Sequence, residues 1–191
     1  MLLFVTRPYK DVVMKLSFST AYPALALLVL TLLIGPWNTL AGRRMPVSSD
    51  WRRDVGIWAG IFSLVHTAIG QCVHFRGRPW LYYVYQHWGK HLLPVRHDLF
   101  GFSNYTGVAA AFLVVLLLAT SNDASLRKLG TQRWKKWQRW NYAAFVLVAA
   151  HAIGFLTIES QKTMFVMIVA ACLLAAVVLQ GLGYAKRRRQ V

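Results

Sequence analysis

The sequence predicts an all-α fold, an integral membrane helical bundle of about five transmembrane helices. Three observations predict it. Apolar residues make up 57% of the 191 residues and charged residues 15%, against about 45–50% and about 25% in soluble domains; the mean hydropathy is +0.41. The apolar residues gather in five runs, each close to the roughly 20 residues a helix needs to cross a hydrocarbon core. The 22 Lys and Arg outnumber the 6 Asp and Glu, and they lie between the runs, where membrane helices end.

In chain order the runs are residues 20–40, 55–75, 102–120, 140–158 and 163–184. Residues 1–19 form an N-terminal segment, with a short interfacial helix expected over 1–16. Their apolar start is too short for a signal peptide, and no small-residue cleavage site follows it. Residues 20–184 are read as the transmembrane domain and 185–191 as a basic cytoplasmic tail. With the C-terminus inside, the inner segments hold 14 basic residues and the outer ones 8, which favours an outside N-terminus. The basic connections, the short length and the absence of a transit peptide point to a bacterial inner membrane.

The +16 net charge is read as topology signal and anionic-lipid contact rather than nucleic-acid binding, because the cations flank apolar runs. Two cysteines, Cys72 and Cys172, both in apolar runs, exclude a disulfide scaffold and read as buried thiols. There is no C-x-x-C-H, which excludes covalent haem attachment, and no C-x-x-C pair. The connection over residues 76–101 carries Trp80, Tyr82, Tyr83, Tyr85 and Trp88 among basic residues. It is either a lid on the outer face or a solvated connection with an interfacial anchor. Trp134, Trp137 and Trp140 recur at spacing three and read as an interfacial belt.

Ionisable groups inside a bilayer are costly and mark function by default. The spans hold no paired carboxylates, which argues against hydrolysis and a proton pump; Asp54 and Glu159 sit at span ends. Histidine remains: His66 and His74 in the second span and His151 in the fourth. His66 lies 12 residues after Asp54, and His151 lies 12 residues after Arg139. Each distance is about 18 Å of helix. The second and fourth spans run in the same direction, so the two imidazoles reach matching depth, past the midplane toward the outer face. Two neutral histidines on facing helices suit the axial positions of a six-coordinate haem. Gly56, Gly60, Gly70 and Gly154 lie nearby and allow close approach. A structural zinc site would want more ligands at that depth. His74 lies about 12 Å beyond His66, so it is an outer-end residue, a second-site ligand or a propionate neighbour. His87, His91 and His97 read as solvated loop residues.

Residues 49–66, SDWRRDVGIWAGIFSLVH, and residues 104–151, with LATSNDASLRKLGTQRWKKWQRWNY, resemble the ferric reductase-like transmembrane domain family. The family includes eukaryotic ferric reductases, the membrane core of NADPH oxidases and the haem-binding membrane subunit of the bacterial periplasmic methionine-sulfoxide reductase system. The resemblance covers most of 21–184 and is strongest over 49–157. It implies a membrane b-type cytochrome that carries electrons across the membrane, with the haem histidines falling on His66 and His151. Where two-haem members carry a further histidine in an L-H-R pattern, this chain has W-Q-R with Gln138. One haem b is therefore expected rather than two, unless His74 finds a partner.

Arg76 and Arg78 are candidates for pairing the haem propionates, or for headgroup contact. No G-x-G-x-x-G fingerprint is present, and no soluble extension follows Tyr184, only the basic tail ending in KRRRQV. The expected role is the electron-transfer component of an oxidoreductase with no flavin or NADPH domain of its own, fed by a separate reductase or a membrane quinol. The acceptor is left open. The basic tract 133–139 either docks an acidic donor or anchors on lipid, and the aromatic outer connection is a candidate quinone or acceptor site. A second function class is a cofactor-free membrane scaffold that keeps the fold. A transporter lacks support in the absence of intramembrane charges, broken helices and repeats.

Overall fold

The computed structural model describes residues 11–42, 50–75, 78–87, 89, 91, 93–159 and 163–189. Helix α1 spans Val12–Leu40, with Asp11 as N-cap accepting from the Val13 N–H at 2.9 Å. Its 29 residues reach about 43 Å, so it begins before the expected Thr20 and takes up residues 12–16 of the expected interfacial helix. Residues 1–10 of that expectation lie outside the described residues. Helix α2 spans Asp50–Gly70, α3 Leu99–Thr120, α4 Asp123–Gln138, α5 Trp140–Ile158 and α6 Thr163–Arg188. No strand occurs among the described residues; one isolated bridge joins Val84 and Val95.

Helical stretches in α1, α3, α4–α5 and α6 are long and apolar enough to cross a membrane. Helix α2 is the more polar one, because its first turns carry Asp50, Arg52, Arg53 and Asp54. Large apolar side chains face outward all along the bundle, among them Phe112, Val146, Met167, Leu174 and Val177, each more than 60% exposed. Helices apolar on their outer faces as well as their inner ones belong in lipid. The protein is an integral membrane protein.

Helix α1 packs on α2 and α6, α3 packs on α5 and α2, and lighter contacts of α5 with α1 and α6 close a ring. Leu25 and Val29 of α1 meet Val169 and Ala176 of α6, with Phe145, Val148 and Ala152 of α5 alongside. A proline makes one of the ties. Pro36 lies inside α1 and has no N–H to give to the carbonyl four residues back. That carbonyl, Leu32 O, instead accepts from Gln180 Nε2 of α6 at 2.7 Å. Gly183 permits the approach, since a Cβ there would come within 2.9 Å of Pro36 Cβ.

Two expectations are corrected. Cys72 is exposed and Cys172 half-buried; Cys72 lies just past the end of α2, where the chain leaves the bundle. The three tryptophans do not form one stripe. Helix α4 ends at Gln138 and α5 begins at Trp140, so the turn at Arg139 breaks the spacing. Trp134 turns inward and donates Nε1–H to Thr120 O at 2.8 Å, while Trp137 and Trp140 are exposed.

Candidate functional site

His66 of α2 and His151 of α5 face each other across the bundle, with ring centroids 6.1 Å apart and planes at 73°. Each ring is fixed by the main chain of the helix beside it. His66 Nδ1 lies 2.9 Å from Ser17 O of α1, and His151 Nδ1 lies 2.7 Å from Ser103 O of α3. A carbonyl oxygen only accepts, so Nδ1–H is the donor on both rings. Nε2 of each is then left with its lone pair, the tautomer a metal ligand needs.

Small residues bring these partners close. A Cβ on Gly107 of α3 would stand 2.6 Å from His151 Nδ1, and one on Gly154 of α5 would stand 2.0 Å from Ser103 Oγ. Both are closer than real Cβ atoms come, so these glycines set the α3–α5 separation. Ser103 is fully buried, and its hydroxyl is satisfied by Leu99 O at 2.7 Å. Around the two rings runs a cleft enclosing about 1300 Å³ of empty space, counting the part that opens outward. Its walls are mostly apolar, with Ala21, Leu25, Gly107, Val108, Ala111 and Phe155 among them, and among the described residues no Lys or Arg lines it.

At one end the cleft meets Gln71, His74 and Glu159. Tyr82 and Tyr83, on the connection between α2 and α3, bond to this end. Tyr82, 1% exposed, donates its hydroxyl to Gly70 O at 3.0 Å and accepts the His74 N–H at 2.8 Å. It thereby caps the C-terminus of α2. Tyr83 accepts from Gln71 Nε2 at 2.8 Å, and the Tyr105 hydroxyl donates to Tyr83 O. Arg96 donates to both oxygens of Asp98 and packs over Phe100. Asp98 is the N-cap of α3 and accepts from the Gly101 N–H at 2.7 Å. These donors, led by Arg96, hold its carboxyl below the ordinary value of 3.8. Trp80 points away and is 54% exposed.

The comparisons agree with this architecture. The model of the family described as ferric reductase like transmembrane component matches residues 20–149. The chain belongs to this family. Among curated proteins it is 28% identical over 131 residues to the magnetosome protein MamZ of Magnetospirillum gryphiswaldense, covering 68% of this chain and 18% of that protein. It is 29% identical over 156 residues to the protein-methionine-sulfoxide reductase haem-binding subunit MsrQ of Brucella melitensis biotype 2. That alignment covers 79% of this chain and 62% of MsrQ, so the chain spans less than two thirds of either relative. No solved structure matches it.

The other candidate residues fall in three places. His74 Nε2 lies 3.3 Å from Glu159 Oε1, and its ring packs against Phe100 at 5.3 Å, beyond His151 and Phe155. Arg78 is exposed at the start of the turn Pro79–Tyr82 and does not line the cleft; Arg76 lies outside the described residues. Gln138 lies at the opposite end of the bundle, where Nε2 donates to Thr120 Oγ1 at 3.2 Å and helps to tie α4 to α3. Sequence reasoning does not single out Ser17, Ser103, Gly107 or Arg96, and it marks Tyr82 only as one aromatic of the 76–101 connection. For Ser103 the signal is the polar cluster Ser103, Asn104 and Thr106 at the start of an otherwise apolar helix.

Proposed function

We propose that this chain is a membrane b-type cytochrome, the electron-transfer component of a reductase system, with one haem held between His66 and His151. The observation that carries the reading is the pair of facing imidazoles at 6.1 Å, both oriented by Nδ1–H bonds to main-chain carbonyls. Two metal–imidazole bonds of about 2 Å, together with the inner halves of the rings, span a similar distance. The mostly apolar cleft suits a flat macrocycle, and the haem named in the MsrQ relative supports the same cofactor.

When bound, haem supplies a centre that accepts and releases one electron. The chain supplies the rest. Ser17 and Ser103 keep both Nε2 atoms unprotonated and aimed inward, and their hydrogen bonds make the rings more basic ligands. The apolar walls exclude water and disfavour the more highly charged iron state. His74 at the polar end, with Arg76 and Arg78 on the segment leaving it, are the proposed neighbours of the propionates. The donor is a separate reductase or a membrane quinol, and the membrane is the bacterial inner membrane with the N-terminus outside. The experiment is a haem assay on protein purified after expression with ample haem. One haem b per chain, reducible by a quinol analogue or a flavin reductase, is expected. A folded, colourless protein would reject the cytochrome and leave the scaffold.

A further inference from the structure

A second chamber, larger than the histidine cleft, opens at the other end of the bundle. It encloses about 2240 Å³ of empty space, counting the part that opens outward. Gln138 lines it, but none of the six histidines does, so its residues do not suit a second bis-histidine haem. What lines it has two parts. Arg52, Arg53, Lys135 and Arg139 supply four cations, and no Asp or Glu is among the lining residues. Arg53 is bonded to Asp123 at the edge of this region, and Arg52 reaches to within 4.0 Å of the Cβ position of Gly35 on α1. Leu28, Leu32, Val114 and Leu118 form an apolar face, and Trp134, Tyr142 and Tyr184 lie among the lining residues as well.

We infer that this chamber binds one anionic phospholipid, with its phosphate on the Arg52, Lys135 and Arg139 side and an acyl chain against the leucines. Arg53 is compensated by Asp123, and the cations along this wall attract a phosphate diester through charge-assisted hydrogen bonds. A small soluble anion would use only the cations and leave the apolar face wet. An amphiphile uses both parts. The chamber lies at the end where most of the cations in the sequence gather, and that end meets the anionic leaflet if the tail is cytoplasmic.

The test is native mass spectrometry of the full chain, taken from mixed phosphatidylglycerol and phosphatidylcholine vesicles into detergent. The wild type is expected to retain one phosphatidylglycerol per chain after phosphatidylcholine is stripped. Lys135→Gln with Arg139→Gln removes two exposed chamber cations and lowers that retention roughly thirtyfold. Arg127→Gln with Lys128→Gln removes the same charge from α4 positions that do not line the chamber and retains the lipid. Excess inorganic phosphate leaves it in place. Equal loss in both double variants, equal retention of the two lipids, or displacement by phosphate would overturn the proposal. Circular dichroism checks that both variants fold, and haem content is scored separately, so a colourless protein leaves this test intact.

Discussion

The two cavities of the bundle share helices α1, α2, α3, α5 and α6, with α4 added at the second, and differ in what the side chains and main chain do there. In the histidine cleft two imidazoles meet, each held by a neighbouring helix, and the walls are mostly apolar. In the cationic chamber the corresponding polar groups are Gln138 and a set of cations, and Gln138 is used to tie α4 to α3. A ligand site therefore needs more than histidines at the right depth. It needs main-chain acceptors that fix the tautomer and glycines that let those acceptors come close. The histidine cleft has all three, and the cationic chamber has none of the six histidines.

The largest change expected from breaking this contrast is at Gly107. A side chain there collides with His151 Nδ1, and overpacking of this kind costs enough to lower haem occupancy about tenfold. Gly107→Leu protein, assayed for haem per chain against the wild type, is expected to be largely colourless while still helical. Gly181, where a Cβ would meet nothing within 4 Å, is the matched control, and Gly181→Leu is expected to keep its haem.

A smaller effect is expected at the other end. Gln138→His restores the residue type that the family pattern carries in two-haem members, but no second imidazole lines the chamber. Haem content is expected to stay at one per chain. The lost bond to Thr120 costs about 1 kcal/mol, or a drop of roughly 2–4 °C in melting temperature. A second haem in this variant would show that the chamber needs only one histidine to become a ligand site.

The smallest effect concerns the Asp98 cap on α3. The Asp98 carboxyl is held below its ordinary value of 3.8 by Arg96. A depressed carboxyl contributes stability above its unfolded value and loses it as pH falls through the folded one. Thermal melts taken downward from pH 5 should therefore show the wild type losing stability below about pH 4, with Asp98→Asn losing less. Parallel curves for the two proteins would mean that the cap on α3 does not depend on this charge.

Much of this was legible in the sequence, for particular reasons. The helices show as apolar runs, and the matched depth of His66 and His151 follows from counting 12 residues from Asp54 and Arg139. The meeting of the rings at 6.1 Å agrees with that count. What holds the rings was not legible. Ser17 and Ser103 act through their carbonyls, which every residue has, and Gly107 is one glycine among 13. Proline chemistry was legible only afterwards: Pro36 frees the Leu32 carbonyl, but the sequence does not say that Gln180 arrives to use it. The tryptophan spacing misleads because a spacing of three looks the same across the break before Trp140 as within a helix, and it does not reveal that Trp134 turns in to Thr120.

The central claim is that His66 and His151 together hold one haem. It is tested most directly by oxidised and dithionite-reduced absorption spectra of the purified wild type, His66→Ala, His151→Ala and His74→Ala. The account predicts sharp six-coordinate b-type bands in the wild type and in His74→Ala, and loss of those bands in each of the other two. Six-coordinate spectra that survive in either His66→Ala or His151→Ala would contradict it.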